Sequence, residues 1–193
     1  MSRPSNKWYD LARYLVYILR HKPQELALEL DSQGFVEIHQ LLEALGKHKK
    51  YGWVNKEDIF KAVKGQKKKI RLEIMEEKIR AVYGHSREGI PPICYEPSFP
   101  PPFLFHGTSP ENWESILEKG LIPLSRKFVH FSTSKEMALE VGKRHNPKEV
   151  LILKIDAQRA AKEGRSFYHP GEEVWLASYL EPRYIIKKEK VVF

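Results

Sequence analysis

Between Gly84 and Pro102 the chain carries six of its thirteen prolines: Pro91, Pro92, Pro97, Pro100, Pro101 and Pro102. A prolyl nitrogen donates nothing to a helix or a sheet ladder, so such a stretch runs extended over a surface. It reads as a seam between two lobes. The division it predicts is a lobe over 1–90, a proline-rich linker over 91–102 and a second lobe over 103–193. A chain of 193 residues is long enough to give each lobe a modest core. No internal repeat and no low-complexity tract interrupts either.

Before the seam, Trp8, Leu11, Leu15, Ile18 and Leu19 recur at helical spacing behind Ser5 as a cap. Pro23 disfavours helical geometry at Lys22, which ends that helix near His21. A turn at Asp31-Ser32-Gln33-Gly34 leads into a strand over Phe35 to Ile38 and a helix from His39 to Leu45. Asn55 caps a third helix that stops at Gly65. Ile70-Arg71-Leu72-Glu73-Ile74 alternates apolar and charged residues as a half-buried strand does, and Ile79 to Tyr83 returns after Glu76-Glu77-Lys78. Three helices followed by a β-hairpin is the element order of a winged helix, although many small α+β domains share it.

After the seam the pattern changes to short apolar strands: Phe103-Leu104-Phe105, Phe128 to Phe131, Val150 to Ile155, Val174-Trp175-Leu176 and Tyr184-Ile185-Ile186. One helix is expected from Ser109 as cap, with Pro110 at its first position, to Gly120. Another is expected behind the capping-box spacing Thr133-x-x-Glu136. The second lobe should be a mixed, strand-dominated sheet.

Composition narrows the partners. Lys and Arg number 33 against 25 Asp and Glu, a formal net charge of +8, which favours polyanions. The same surplus would also serve solubility alone. No apolar run approaches the roughly 20 residues that span a bilayer, and the first residues, Met-Ser-Arg-Pro-Ser-Asn-Lys, lack the apolar stretch of a signal peptide. Cys94 is the only cysteine, so no disulfide forms within the chain, and a reducing cytoplasmic (intracellular) setting is expected.

The common catalytic signatures are missing. There is no Gly-x-Gly-x-x-Gly turn, no P-loop, no Gly-x-Ser-x-Gly elbow and no His or Cys spacing suited to zinc. What remains is a set of basic and hydroxyl residues. Arg20-His21 closes the first helix, where two cations would also suit the helix C-terminus. Arg71 follows Lys67-Lys68-Lys69 on a polar strand face, which is either solvated or laid along a phosphate backbone. His106-Gly107-Thr108-Ser109 joins a strand to a helix, where backbone amides can receive an anion or a carboxamide. A capped turn would account for it equally. With period two, Arg126, Phe128, His130 and Ser132 fall on one face of an extended segment, fit for a polar ligand or for plain exposure.

Taken in order, these segments resemble the KptA family of RNA 2′-phosphotransferases. The likeness runs through Leu19-Arg20-His21, Asp31-x-x-Gly34-Phe35-Val36, Arg71-Leu72-Glu73-Ile74 and Ile79-Arg80-Ala81-x-x-Gly84-His85-Ser86. It continues through His106-Gly107-Thr108, Arg126-x-x-Val129-His130-Phe131-Ser132 and Val174-Trp175-Leu176, spanning about residues 11 to 186. The resemblance implies an α+β protein: an N-terminal winged-helix RNA lobe joined to a C-terminal, mixed β lobe of the ADP-ribosyltransferase (PARP-like) fold. It implies NAD consumed as co-substrate, no metal, a 2′-phosphorylated RNA (tRNA) substrate and no obligatory protein partner. His106, His130 and Val174 fill the positions of that superfamily's three strand motifs. Glu173 is set aside, because a one-residue shift on a strand turns to the other face. Lys22 stands where the family more often has glycine, and the 84–102 connection is unusually proline-rich.

By the same resemblance, Arg20, His21, Arg71 and Arg126 are catalytic and contact the RNA 2′-phosphate or the transferring phosphoryl group. His106, Gly107, Thr108, His130, Ser132 and Val174 line the NAD site, with Gly84, His85 and Ser86 nearby. In the family reaction the 2′-phosphate attacks the nicotinamide ribose and expels nicotinamide. The 2″-hydroxyl of the transferred ADP-ribose then attacks the phosphate, freeing RNA 2′-OH and ADP-ribose 1″,2″-cyclic phosphate. Two other classes stay open at this point. One is an ADP-ribosyltransferase that stops after one step on nucleic-acid terminal phosphates or on protein, and the other is a winged-helix DNA-binding regulator.

Overall fold

The computed structural model describes residues 7–66, 70–86, 88–91, 93–171 and 173–193. Ser5 and Lys67-Lys68-Lys69, named above as a cap and a basic run, lie outside these residues. The chain divides into two compact units, Met1–Cys94 and Tyr95–Phe193. The proline seam is thus shared. Pro91 falls with the first unit, while Pro97 forms a bridge to Tyr168 inside the second.

In the first unit, α1 (Lys7–His21) buries Leu11, Leu15, Ile18 and Leu19 completely, at the helical spacing that predicts it. Pro23 opens a short 3₁₀ turn, Pro23–Leu26, which the sequence did not announce. Strand β1 (Phe35–Glu37) runs directly into α2 (Ile38–Gly46). Asn55 caps α3 (Lys56–Lys64) by accepting from the Asp58 amide at 3.0 Å, while the Asp58 side chain returns the bond to Asn55. Asp58 is 5% exposed and also accepts from the Trp8 indole at 2.8 Å, which ties α3 to α1. That hydrogen bond, chiefly, holds its carboxyl below the ordinary value.

Strands β2 (Leu72–Met75) and β3 (Lys78–Ala81) form the hairpin, with Glu76 in a left-handed turn conformation at φ 53°. Leu72 is fully buried, whereas Glu73 pairs with Arg80 across the strands at 2.9 Å. β1 adds to the far side of β3, so the sheet order is β1-β3-β2, antiparallel throughout.

The second unit is built on a six-stranded sheet. Its strands are β4 (Phe103–Thr108), β5 (Val129–Ser132), β6 (Glu149–Asp156), β7 (Tyr168–Gly171), β8 (Val174–Ala177) and β9 (Ile185–Val192), in the order β7-β8-β5-β4-β6-β9. Every pairing is antiparallel, where a mixed sheet was expected. The reason is positional: β5 and β6 flank β4 on opposite sides, and both run against it. Both faces of β6 are covered. Leu151, Leu153 and Ile155 join Leu104, Phe131, Phe167 and Tyr184 on one side, while Val150 and Ile152 pack with Ala138 on the other. Burial on both sides explains why Val150 to Ile155 reads as a nearly continuous apolar run.

Helix predictions here need correction. The helix expected from Ser109 to Gly120 is broken: Pro110–Asn112 is a 3₁₀ turn, and α4 spans only Trp113–Lys119. The Ser109 side chain makes no cap; instead the Asn112 side-chain amide donates to Thr108 Oγ1 at 2.9 Å. Helix α5 (Lys135–Gly142) is capped by Ser134, which accepts from the Met137 amide, so the capping register lies one residue beyond Thr133. Helix α6 (Ala157–Lys162), capped by Asp156, and strand β7 were both unforeseen. Among the described residues no helix is long and apolar enough to cross a membrane.

Candidate active site

In the first unit the candidate residues gather at the C-terminal end of α1. A helix ends with backbone carbonyls that need donors from elsewhere. Here the Ser86 amide supplies one, donating to the Arg20 carbonyl at 2.9 Å. The Ser86 hydroxyl lies 2.8 Å from His21 Nδ1. The segment Tyr83-Gly84-His85-Ser86 is thereby folded over the last turn of α1. Arg20 stacks its guanidinium on the Tyr83 ring at 4.8 Å. Gly84 sits at φ 85°, a conformation glycine adopts without strain, and a Cβ there would stand 3.4 Å from the Arg20 guanidinium. His85 is buried, and Gly34, at φ 82°, backs directly onto its ring.

Arg71 belongs to the same unit but precedes β2 rather than lying inside it. It is set by Gln66, whose side-chain oxygen accepts from the amides of Arg71 at 2.7 Å and Leu72 at 3.1 Å. The Gln66 amide nitrogen in turn donates to the carbonyls of Val63 and Leu72, both at 2.9 Å. The Val82 amide donates to the Arg71 carbonyl, which places Arg71 beside the strand that runs on into Gly84. A lone glutamine after a helix carries no pattern, so nothing in the sequence announces Gln66. Gly84, His85 and Ser86 were expected near the NAD site, and the structure sets them against Arg20 and His21.

In the second unit the candidates sit at the centre of the sheet. His106 on β4 donates from Nδ1 to the His130 carbonyl on β5 at 2.9 Å. That bond fixes the neutral tautomer, so Nε2 is left as an acceptor. Burial pushes the His106 pKa below the ordinary histidine value; the bond to the His130 carbonyl opposes the shift, and nearby His145 adds to it. Gly107 follows, and a Cβ there would meet the Ala138 carbonyl oxygen at 2.0 Å. Glycine is required because α5 lies directly on β4. Thr108 and Ser132 are buried, with Ser132 in register with Phe105 and Val174.

Arg126 lies outside the regular strand predicted to carry it. β5 begins at Val129, and bends at Lys127 and Phe128 break the alternation, which holds only for His130 and Ser132. Arg126 is half-buried, and burial lowers its pKa, although a guanidinium remains charged at any working pH. Val174 is partly exposed at the start of β8, and the neighbouring Glu173 carbonyl accepts from the Thr133 amide. Among the described residues no group of three or more His, Cys, Asp or Glu is arranged to hold a metal ion.

The first unit thus offers a cationic cluster suited to a phosphate. The second offers a neutral imidazole acceptor and buried hydroxyls suited to sugar hydroxyls and a carboxamide. Comparison with known proteins finds relatives that match most of the chain. A family model described as RNA 2'-phosphotransferase, Tpt1 / KptA family, matches residues 6–179. A protein of Acetivibrio thermocellus named "Probable RNA 2'-phosphotransferase" is 44% identical over 176 residues, covering 91% of this chain and 94% of its own. Proteins of the same name from Bacillus thuringiensis subsp. konkukian and Thermococcus kodakarensis are 43% and 39% identical, covering 93% and 89% of this chain and 95% and 92% of theirs.

Proposed function

The chain belongs to the RNA 2'-phosphotransferase, Tpt1 / KptA family, and from that premise we propose that it removes the 2′-phosphate from an RNA splice junction, as in cytoplasmic tRNA processing, with NAD as co-substrate. One observation carries the reading. The family match spans residues 6–179, a range that takes in both the cationic end of α1 and the His106–His130 pair. On this reading the first unit is a winged-helix RNA lobe and the second an ADP-ribosyltransferase-like lobe, in keeping with the three-stranded sheet of one and the six-stranded sheet of the other.

NAD supplies an electrophilic ribose carbon with nicotinamide as leaving group. The residues present suit it. Burial lowers the His106 pKa and so favours the neutral ring, whose Nε2 is an acceptor of the kind a ribose hydroxyl needs. Thr108, His130, Ser132 and Val174 complete the lining, and Gly107 lets α5 close on β4 beneath it.

Arg20, His21 and Arg71 receive the 2′-phosphate. A guanidinium matches two phosphate oxygens at once, and the stacking of Arg20 on Tyr83 restricts where its fork can point. His21 is oriented through the Ser86 hydroxyl, which fixes the nitrogen it presents. A phosphate dianion is already nucleophilic, so the first step asks for alignment rather than a strong base. Its oxygen bonds to the ribose carbon while the C–N bond breaks and nicotinamide departs neutral with the electron pair. In the second step a ribose hydroxyl bonds to phosphorus, the bond to the RNA 2′-oxygen breaks, and that oxygen takes up a proton. Charge then concentrates on the phosphoryl oxygens, and Arg126 is assigned to hold it.

The test is product identity. Incubated with NAD and a defined 2′-phosphorylated oligonucleotide, without added metal and with excess EDTA, the protein should yield RNA 2′-OH, nicotinamide and ADP-ribose 1″,2″-cyclic phosphate. Release of inorganic phosphate, or turnover without NAD, would overturn the reading. A reaction halted at ADP-ribosylated RNA would instead mark a one-step transferase.

A further inference from the structure

α1 carries a second surface, upstream of its cationic end, that the reaction just described does not use. Asp10, Tyr14, Tyr17 and His21 follow one another at steps of four, three and four, which puts them on one face of the helix. Asp10, Arg13, Tyr14 and Tyr17 form one wall of an open groove of about 390 Å³, and Lys50 and Tyr51 form the other.

The groove is aromatic at its base and charged at its lips. Tyr14 stacks on Tyr51 with ring centroids 4.2 Å apart and planes 22° from parallel, and the His48 ring stands 5.2 Å from each. Tyr51 is buried and Tyr14 half-buried, so the pair forms a rigid floor to the groove. The Lys50 ammonium lies 5.3 Å from the Tyr51 ring centre, and Arg13 is exposed. Two cations therefore face one carboxylate, Asp10, along the lining. A second carboxylate, Glu25, accepts from the Tyr17 hydroxyl at 3.2 Å and so anchors that ring at its outer edge. Tyr17 is 42% exposed and its ring centre lies 6.1 Å from that of His21. At 1.5 Å of rise per residue, Tyr17 and Tyr14 stand roughly 6 and 10 Å from His21 along the axis.

Exposed rings interleaved with cations are the means by which proteins hold single-stranded nucleic acid, the rings stacking on bases and the cations tracking phosphates. An apolar protein helix would ask for a groove without charged lips. Resting on the reading of Arg20 and His21 as receivers of the 2′-phosphate, we propose that this groove binds the RNA nucleotides adjoining the phosphorylated one. Tyr17 stacks on an unpaired base, the Tyr14–Tyr51 pair supports the groove from beneath, and Arg13 and Lys50 meet the neighbouring phosphates. Recognition of this kind is indifferent to base identity, because every base has a face to stack. It favours substrates whose phosphorylated nucleotide sits in single-stranded RNA.

The experiment compares a 2′-phosphorylated mononucleotide with a hexanucleotide carrying the same group at an internal position. Fluorescence anisotropy or competition gives affinity, and NAD-driven release of RNA 2′-OH gives kcat/KM. Tyr17→Ala and the double variant Arg13→Ala/Lys50→Ala change exposed residues only, and Lys148→Ala, an exposed cation of the second unit, is the control. Stacking contributes enough that Tyr17→Ala should weaken hexanucleotide binding and kcat/KM on the order of tenfold more than it affects the mononucleotide. The double variant should flatten the salt dependence of hexanucleotide binding, by roughly 0.7 in log–log slope for each phosphate no longer neutralised. Equal losses on both substrates, or hexanucleotide binding unchanged by every variant, would overturn the proposal and leave the groove to another partner such as a protein segment. If the wild type released no RNA 2′-OH at all, the proposed reaction would fall, while the affinities would still decide what the groove binds.

Discussion

The two units meet the problem of fixing a functional side chain in opposite ways. In the first, the candidate residues stand at an edge, where α1 runs out and its last carbonyls need donors; Ser86 returns from a distant part of the chain to supply one and to hold His21. In the second, they stand at the middle of a sheet, where backbone pairing on both sides of β4 leaves few positions free and His106 is locked by the next strand's carbonyl. The edge site is held by a few specific hydrogen bonds and a stacked arginine. The central site is held by the packing of the whole sheet. Substitutions at the edge should therefore cost function before stability, and substitutions at the centre should cost both.

The largest departure from that rule is expected at Arg126, which belongs to the second unit but lies before β5. Arg126→Ala should spare the fold and, on the role proposed for it, slow the second chemical step by about 10²-fold or more, the cost of removing a preorganised cation from developing phosphoryl charge. The first step, in which the attacking group brings its own charge, should suffer less. RNA bearing ADP-ribose on its 2′-phosphate would then accumulate as a slow band on a denaturing gel. Rapid-quench time courses showing both steps slowed alike would make Arg126 a general binding residue.

A pair of glycines sharpens the comparison at the next level. Gly107→Ala drives a methyl group against the Ala138 carbonyl oxygen at the heart of the second unit. Overpacking of this kind costs about 1–3 kcal/mol, or roughly 10 °C in Tm for a unit of this size. Gly84→Ala meets only the Arg20 guanidinium at 3.4 Å, with the added strain of a side chain at φ 85°. It should lower Tm less and weaken binding of 2′-phosphorylated RNA more. Calorimetry and RNA titration on the two variants decide it, and a larger Tm loss for Gly84→Ala would reverse the contrast.

The smallest effect is one of pH, and it separates the units by window. His106 has its folded pKa lowered mainly by burial, so the unfolded chain takes up a proton that the folded one refuses. Its contribution to stability is level above the unfolded value near 6.5 and falls as pH drops below it toward the lowered folded value. Asp58 in the first unit is lowered chiefly by the Trp8 hydrogen bond, so its contribution is present above the ordinary 3.8 and lost only as pH falls through the lowered folded pKa. Replacing His106 with Gln should reduce the slope of Tm below pH 6.5 and leave the more acidic loss in place. An unchanged slope would refute the assignment.

Much of this was legible in the sequence where a pattern repeats. The periodicity of Leu11, Leu15, Ile18 and Leu19, the Asn55 cap and the alternation at Leu72 to Ile74 mark their elements because each reports local geometry. Missing from view were features decided by tertiary structure. Gln66 makes four bonds to the backbone, one of them from the Arg71 amide, that no spacing announces. Ser134 rather than Thr133 caps α5, a shift of one residue that two adjacent hydroxyls cannot reveal. Period-two counting extends the strand of His130 back to Arg126, although β5 begins only at Val129. The candidate residues were named from the resemblance, and their neighbours came from the fold: Ser86 on His21, Tyr83 under Arg20, the His130 carbonyl on His106.

On the proposed division of labour the two units bind different substrates, RNA phosphate at the end of α1 and NAD at the heart of the second sheet. Paired binding isotherms test it most directly, with a 2′-phosphorylated oligonucleotide and NAD titrated separately into Arg20→Ala and His106→Ala. Arg20→Ala should weaken RNA binding about tenfold or more, the worth of a charge-assisted hydrogen bond, and leave NAD affinity within about twofold. His106→Ala should do the reverse. If either variant weakened both ligands equally, the division of labour between the units would be wrong.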